Sequence, residues 1–147
     1  MRQLTAHFSL KELTDSTKAV EQGIDNTPPD DIVAHLQVAA EGMEQVRALL
    51  GFPIKVNSGY RCPELNKAVH GAVDSAHMNG YAVDFICPQY GDPTAIVRTI
   101  VASGVKYDKV IMEQSWVHIS FDPKLRGVNL IAKFDANGDA TYTHGVA

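Results

Sequence analysis

The sequence predicts an α+β fold: a central antiparallel sheet with helices packed on one side and a polar cleft on the other. Three observations carry this expectation. Ile32, Leu36, Ala39, Met43, Val46 and Leu50 recur at three- and four-residue spacing, the period of a helix with one buried stripe. Val117, Ile119 and Phe121 alternate with Trp116, His118 and Ser120, the period of a strand with two unlike faces. Two further β-prone runs, 129–134 and 140–143, are joined through Asp135-Ala136-Asn137-Gly138, a turn sequence suited to a hairpin. A chain of 147 residues is expected to form one domain, 1–147, helical over about 9–51 and sheet-bearing over about 52–147.

Ser9 and Glu12 have the spacing of a capping box, which predicts a first helix over about 10–20. Pro29 at a helix start, with Asp30 and Asp31 in the first turn, opens the long striped helix, and Gly51 stops it. His35 falls beside that stripe with no partner in view and reads as a surface histidine. Residues 52–57 alternate like a strand, and 63–70 form a short helix ended by Gly71, with His70 at its dipole end. Asp92-Pro93 starts a helix that continues to Gly104, and 107–112 is the next strand, leading into Glu113. The strand 116–121 then returns alongside it. The Asp-x-Asn-x-Asp run of the last hairpin lacks the downstream glutamate of a calcium loop and reads as a turn.

The formal net charge is −4 and no basic cluster occurs, which argues against nucleic acid as a partner. No apolar run approaches the roughly 20 residues of a membrane span, so no membrane insertion is expected. No apolar helix calls for a partner either, and a monomer is expected. Cys62 and Cys87 are the two cysteines and allow one disulfide; neither has metal-ligand spacing. They are expected to stay reduced in the cytoplasm, with pairing reserved for a later oxidising environment.

The polar residues that stand out are His77, Asp84, Glu113 and His118, set in otherwise apolar, strand-like sequence. An aspartate beside Phe85-Ile86 and a histidine between Val117 and Ile119 are costly to bury unpartnered. A histidine in such a setting is commonly a hydrogen-bonded core residue. One cation would instead satisfy His77, Asp84 and His118 together. Two nitrogens and one oxygen leave a fourth tetrahedral position open, the pattern of a catalytic zinc, and Glu113 would remain as a base. Gly80 and Ala82 thin the chain where the first two ligands must converge.

Ser75-x-His77-x2-Gly80-x-Ala82-x-Asp84, preceded by Ser58-Gly59-Tyr60-Arg61 and followed by Glu113 and Trp116-Val117-His118, resembles the zinc D-Ala-D-Ala peptidases, peptidase family M15. These are carboxypeptidases and endopeptidases of bacterial cell walls, remotely related to the Hedgehog signalling domain. The likeness runs from about Phe8 to Phe121, and the segments 8–13 and 23–29 are similar to the small phage and prophage members. Some members carry Glu-x-x-His, whereas Glu113 stands five positions before His118.

The resemblance implies a Hedgehog/DD-peptidase-like fold with one zinc ion per chain on His77, Asp84 and His118. It implies Glu113 as general base and Arg61 as oxyanion and substrate ligand, with Ser75 lining the pocket. Trp116, on the same strand face as His118, reads as a wall of the cleft, and Tyr81 is a substrate-binding candidate of a type more often a packed aromatic. It implies peptidoglycan stem peptides or crosslinks as substrate. Residues 1–7 hold no apolar core of signal-peptide length. The expectation is therefore a protein made in the cytoplasm that reaches the wall on release, as a phage or prophage endolysin, or as a virion component. A zinc-bearing module that binds without cleaving, and a cytosolic D-Ala-D-Ala dipeptidase, are the alternative functions.

Overall fold

The computed structural model describes residues 2–145. Among them are helices α1 (Thr17–Gln22), α2 (Asp30–Leu50), α3 (Pro63–Ala68) and α4 (Pro93–Ala102). The strands are β1 (Lys55–Ser58), β2 (Ala82–Ile86), β3 (Lys109–Met112), β4 (Val117–Ser120), β5 (Val128–Phe134) and β6 (Ala140–His144). They form one sheet in the order β1-β2-β4-β3-β5-β6.

Helix α2 follows its sequence pattern closely. Pro29 caps its start, Asp30 and Asp31 complement the first turn, and Gly51 ends it at φ 75° with its N–H on the Arg47 carbonyl. Its stripe, from Leu36 to Leu50, is buried. Val83, Phe85, Val110, Val117 and Ile119 form the apolar face of the sheet and join α2 and α4 in one core cluster. α4 packs on β3 and β4, and α2 packs on α4. Asp84 and His118 alternate with those apolar residues and so project from the opposite face.

The predicted first helix does not run through 10–20. The capping box forms, with Ser9 Oγ accepting from Glu12 N at 3.1 Å, but it opens only a turn. The carbonyls that should propagate a helix are used elsewhere: Leu13 O accepts from Tyr60 N at 2.7 Å, and Thr14 O from Asn26 Nδ2 at 2.9 Å. Ser16 then caps the short α1 afresh, accepting from Ala19 N. α3 is likewise shorter than predicted. His70 lies beyond it at φ 57°, outside the helix end rather than in its last turn.

The sheet is mixed rather than antiparallel. All neighbouring pairs are antiparallel except β3 and β5, which run parallel. β4 returns alongside β3, so the chain leaving β4 emerges where β3 began. Residues 121–127 carry it past that end, and β5 then follows β3's direction on the free edge. Because β4 intervenes, the parallel pair needs no helical crossover.

Asp108 secures this passage. It is 3% exposed, and its carboxylate accepts from Arg126 N at 3.1 Å, Nε at 2.9 Å and Nη2 at 2.8 Å. Val128 N also donates to its carbonyl at 2.9 Å, which starts the β3–β5 ladder. The hydrogen bonds from Arg126 hold the Asp108 carboxyl below the usual range. Replacing Asp108 with Ala should lower stability by about 1–3 kcal/mol, read as a lower urea midpoint. Because the folded pKa is depressed, the contribution is present above the unfolded value of about 4. It should fade as pH falls through the lower folded value.

Candidate metal centre

His77 is placed by a 3₁₀ turn, Ala76–Asn79. Ser75 caps this turn, its Oγ accepting from His77 N at 3.2 Å, and Gly80 closes it at φ 81°, a conformation that suits glycine. Gly80 also lies close against Ile32 and His35 of α2. The glycine in this motif therefore serves the turn and its seat on the helix. Asp84 and His118 are directly paired across the β2–β4 ladder, and Asp84 also pairs with Ser58 of β1.

These elements bring three donors together. Oδ1 of Asp84 lies 3.2 Å from Nε2 of His77 and 3.0 Å from Nδ1 of His118. One ligand atom from each residue falls within 4.8 Å of the others. The two imidazole rings meet edge-on, with centroids 5.1 Å apart. His77 is 2% exposed, and its Nδ1 sits 2.7 Å from the Gly59 carbonyl oxygen. That carbonyl can only accept, so Nδ1 carries the proton and the unprotonated Nε2 is left with its lone pair free to ligate a cation on the Asp84 side. The Asp84 and His118 side chains remain 14% and 13% exposed, so the cluster is reachable from solvent.

Burial pushes the Asp84 carboxyl up, but His77 and His118 outweigh it and hold the group well below the usual carboxylate range. Asp84 is thus anionic, the form a cation requires. Two imidazole nitrogens and one carboxylate oxygen, two of the three on a strand ladder and the third on a capped turn, suit a borderline cation such as zinc.

Glu113 reaches the same face by a different route from Glu-x-x-His. Its N–H donates to the Trp116 carbonyl at 3.0 Å, closing the tight turn between β3 and β4. The five-residue spacing therefore spans a hairpin and sets Glu113 opposite Trp116, two residues from His118 along β4. Burial raises the Glu113 carboxyl; the His118 charge lowers it and the Asp84 charge raises it. It feels both ligands, and its proton affinity moves in the direction useful to a base.

Arg61 is half-buried beside the cluster. Its backbone N–H donates to the His77 carbonyl at 3.1 Å, Nε to Asn66 Oδ1 at 3.1 Å and Nη2 to Ser75 Oγ at 3.2 Å. Burial lowers its pKa and the Asp84 charge raises it. Asn66, 4% exposed, was not singled out by sequence; it fixes the guanidinium while donating to the Ala72 carbonyl at 2.9 Å. No local pattern marks an asparagine inside a short helix for such a role.

Trp116 shares the face of His118, half-buried. Tyr81 does not join the cluster. It stacks on His35 with ring centroids 4.3 Å apart, on the helix side of the sheet. His35 in turn places Nδ1 2.7 Å from the Asn79 carbonyl, so this histidine is a brace beneath the 3₁₀ turn rather than an unpartnered surface group. Cys62 and Cys87 are both free. The first caps α3 through Sγ, and the second is buried with Sγ 3.3 Å from the Pro53 carbonyl.

The geometry brings together three groups that could hold a metal ion, with the half-buried carboxyl of Glu113 nearby on the same face. Residues 6–120 match the family model described as Peptidase M15, and the chain belongs to that family of peptidases. The match takes in the three donors, Glu113 and Arg61, and stops before β5. Among curated proteins the chain finds no match.

Gly59 gives a test of the centre that does not touch a donor. A Cβ there would collide with the Leu13 carbonyl and displace the oxygen that orients His77. Gly59→Ala should weaken zinc binding by about 10–100-fold in isothermal titration calorimetry. His70→Ala, exposed and outside the cluster, should leave it unchanged.

Proposed function

We propose that this chain is a zinc metallopeptidase that hydrolyses peptide bonds in bacterial peptidoglycan, of the D-Ala-D-Ala carboxypeptidase or endopeptidase type. One observation carries the reading: two imidazoles converge on one carboxylate oxygen, with a half-buried glutamate on the same sheet face, in a chain of a peptidase family. His77, Asp84 and His118 would hold the ion. Zinc there would supply Lewis acidity, polarising a carbonyl and acidifying a water.

The remaining chemistry belongs to the chain. Glu113 takes the proton of the attacking water on a carboxylate oxygen and returns it to the leaving amine. Burial supports this role, because a carboxylate with raised proton affinity is the better base. Arg61, with Nε and Nη2 fixed by Asn66 and Ser75, offers Nη1 to a substrate carbonyl or terminal carboxylate. Ser75 and Trp116 line the cleft. In this reading the protein acts on the wall after release, as a phage or prophage endolysin, or as a virion component.

The test is mass spectrometry of the fragments released from purified peptidoglycan by zinc-loaded protein. Fragments should appear with the unmutated chain, and their masses identify the bond. Glu113→Gln should keep one zinc per chain while turnover falls about 10²–10⁴-fold. Near-normal turnover in that variant would remove Glu113 from the base role. Cleavage of free D-Ala-D-Ala with intact wall untouched would select the dipeptidase, and silence on both substrates with zinc bound would select the binding module.

A further inference from the structure

The β5–β6 hairpin lies beyond the family-matched residues yet extends the face that carries the metal cluster. Met112 pairs with Val117 on one side and Ile131 on the other. Glu113 follows directly past the end of β3, facing Trp116 across the turn, and continuing the β3–β5 register by one residue sets it beside Ala132. Ala132 pairs in turn with Tyr142. Trp116, Glu113, Ala132 and Tyr142 thus form one row across four strands, all on the same face. Two strand spacings put the Tyr142 backbone about 10 Å from that of Glu113.

Burial along this row points to a shelf beside the glutamate. Ala132 is 7% exposed, although the residues that follow it, Lys133 and Phe134, are exposed. A methyl group is covered that well only when larger neighbours lean over it, and its neighbours in the row are Glu113 and Tyr142. Tyr142 itself keeps 52% of its surface exposed. In the adjacent row, His118 pairs with Ile111 and Ile111 with Leu130. The floor between His118 and Tyr142 is therefore apolar. Burial and then the Glu113 charge push the phenol's pKa up, so its hydroxyl is a donor at neutral pH.

We propose that Tyr142 is a substrate-positioning residue. The shelf of Ile111, Leu130 and Ala132 takes an uncharged alanyl segment of the peptide, and the phenol donates a hydrogen bond to one of its carbonyls. This rests on the peptidase reading and narrows it. Arg61 and Ser75 hold substrate on the β1 side of the cluster, while Tyr142 holds it on the β6 side. The substrate is then a peptide that extends on both sides of the cleaved bond, as a crosslink does, rather than a free dipeptide.

The experiment measures KM and kcat on purified crosslinked muropeptide dimers and on D-Ala-D-Ala, with zinc affinity measured in parallel. Tyr142→Ala should raise KM for the dimers about tenfold, with kcat changed less than about twofold. Tyr142→Phe should fall between it and the unmutated chain. Thr141→Ala, on the opposite face of β6, should match the unmutated chain, and zinc affinity should be equal in all four proteins. Unmutated KM in Tyr142→Ala, an equal defect in Thr141→Ala, or a loss of zinc in Tyr142→Ala would each overturn the proposal. So would cleavage by the unmutated protein of the dipeptide alone. If the zinc-loaded unmutated protein cleaves neither substrate, the peptidase reading itself fails, and this proposal with it.

Discussion

A single carboxylate oxygen set between two imidazoles is the constraint on which the rest of the structure depends. Asp84 lies in a strand whose neighbouring residues are fully buried, where an unpartnered charge would be costly. Direct pairing with His118 supplies one partner from the ladder itself. The second must come from outside the sheet, and the 3₁₀ turn of His77 exists to deliver it. Everything that holds that turn therefore acts on the centre: the Ser75 cap, the positive φ of Gly80, the Gly59 carbonyl and the His35 brace from α2.

The same turn links the cluster to the guanidinium of Arg61. Arg61 donates its backbone N–H to His77, and its guanidinium bonds the Ser75 that caps the turn. A shift at His77 must therefore move Arg61, and the reverse. Asn66 stops the guanidinium from swinging away, and Asn26 holds the strand end by donating to the Tyr60 carbonyl at 3.0 Å and accepting from Cys62 N at 2.8 Å. The N-terminal turn contributes through Leu13, whose carbonyl is bound by Tyr60 and packs so close to Gly59 that no side chain fits. The helical portion is thus more than a cover for the core. Its loop carbonyls set the backbone from which both site segments spring.

Elements encoded by local period were legible in the sequence, whereas most backbone contacts made across long separations were not. The stripe of α2, the alternation of β4 and the terminal hairpin all appear where their periods place them. The grouping of His77, Asp84 and His118 rested on Asp84 and His118 standing in apolar strand sequence together with the spaced motifs that resemble the peptidase family. The continuous first helix failed because Tyr60 and Asn26, far along the chain, take its carbonyls. The parallel β3–β5 pair depends on Asp108 meeting Arg126, which no local pattern announces. Tyr81 is different, since its signal was present. It stands three residues before Asp84, an odd offset in extended chain, and so belongs to the opposite face.

That period-two logic also separates the two tasks of the sheet. β2, β4 and β3 are central strands with apolar residues in the shared core, so a register slip there would expose the core and scatter the donors together. β5 and β6 lie outside this group, joined to it by one parallel ladder and the Asp108–Arg126 clasp. Changes in the hairpin leave the β2–β4 pairing untouched, yet they alter the surface beside Glu113. The surface beside Glu113 can therefore vary without disturbing the His77–Asp84–His118 cluster. Tyr142 sits at the outer limit of that variable surface, in the same row as Glu113 and Trp116.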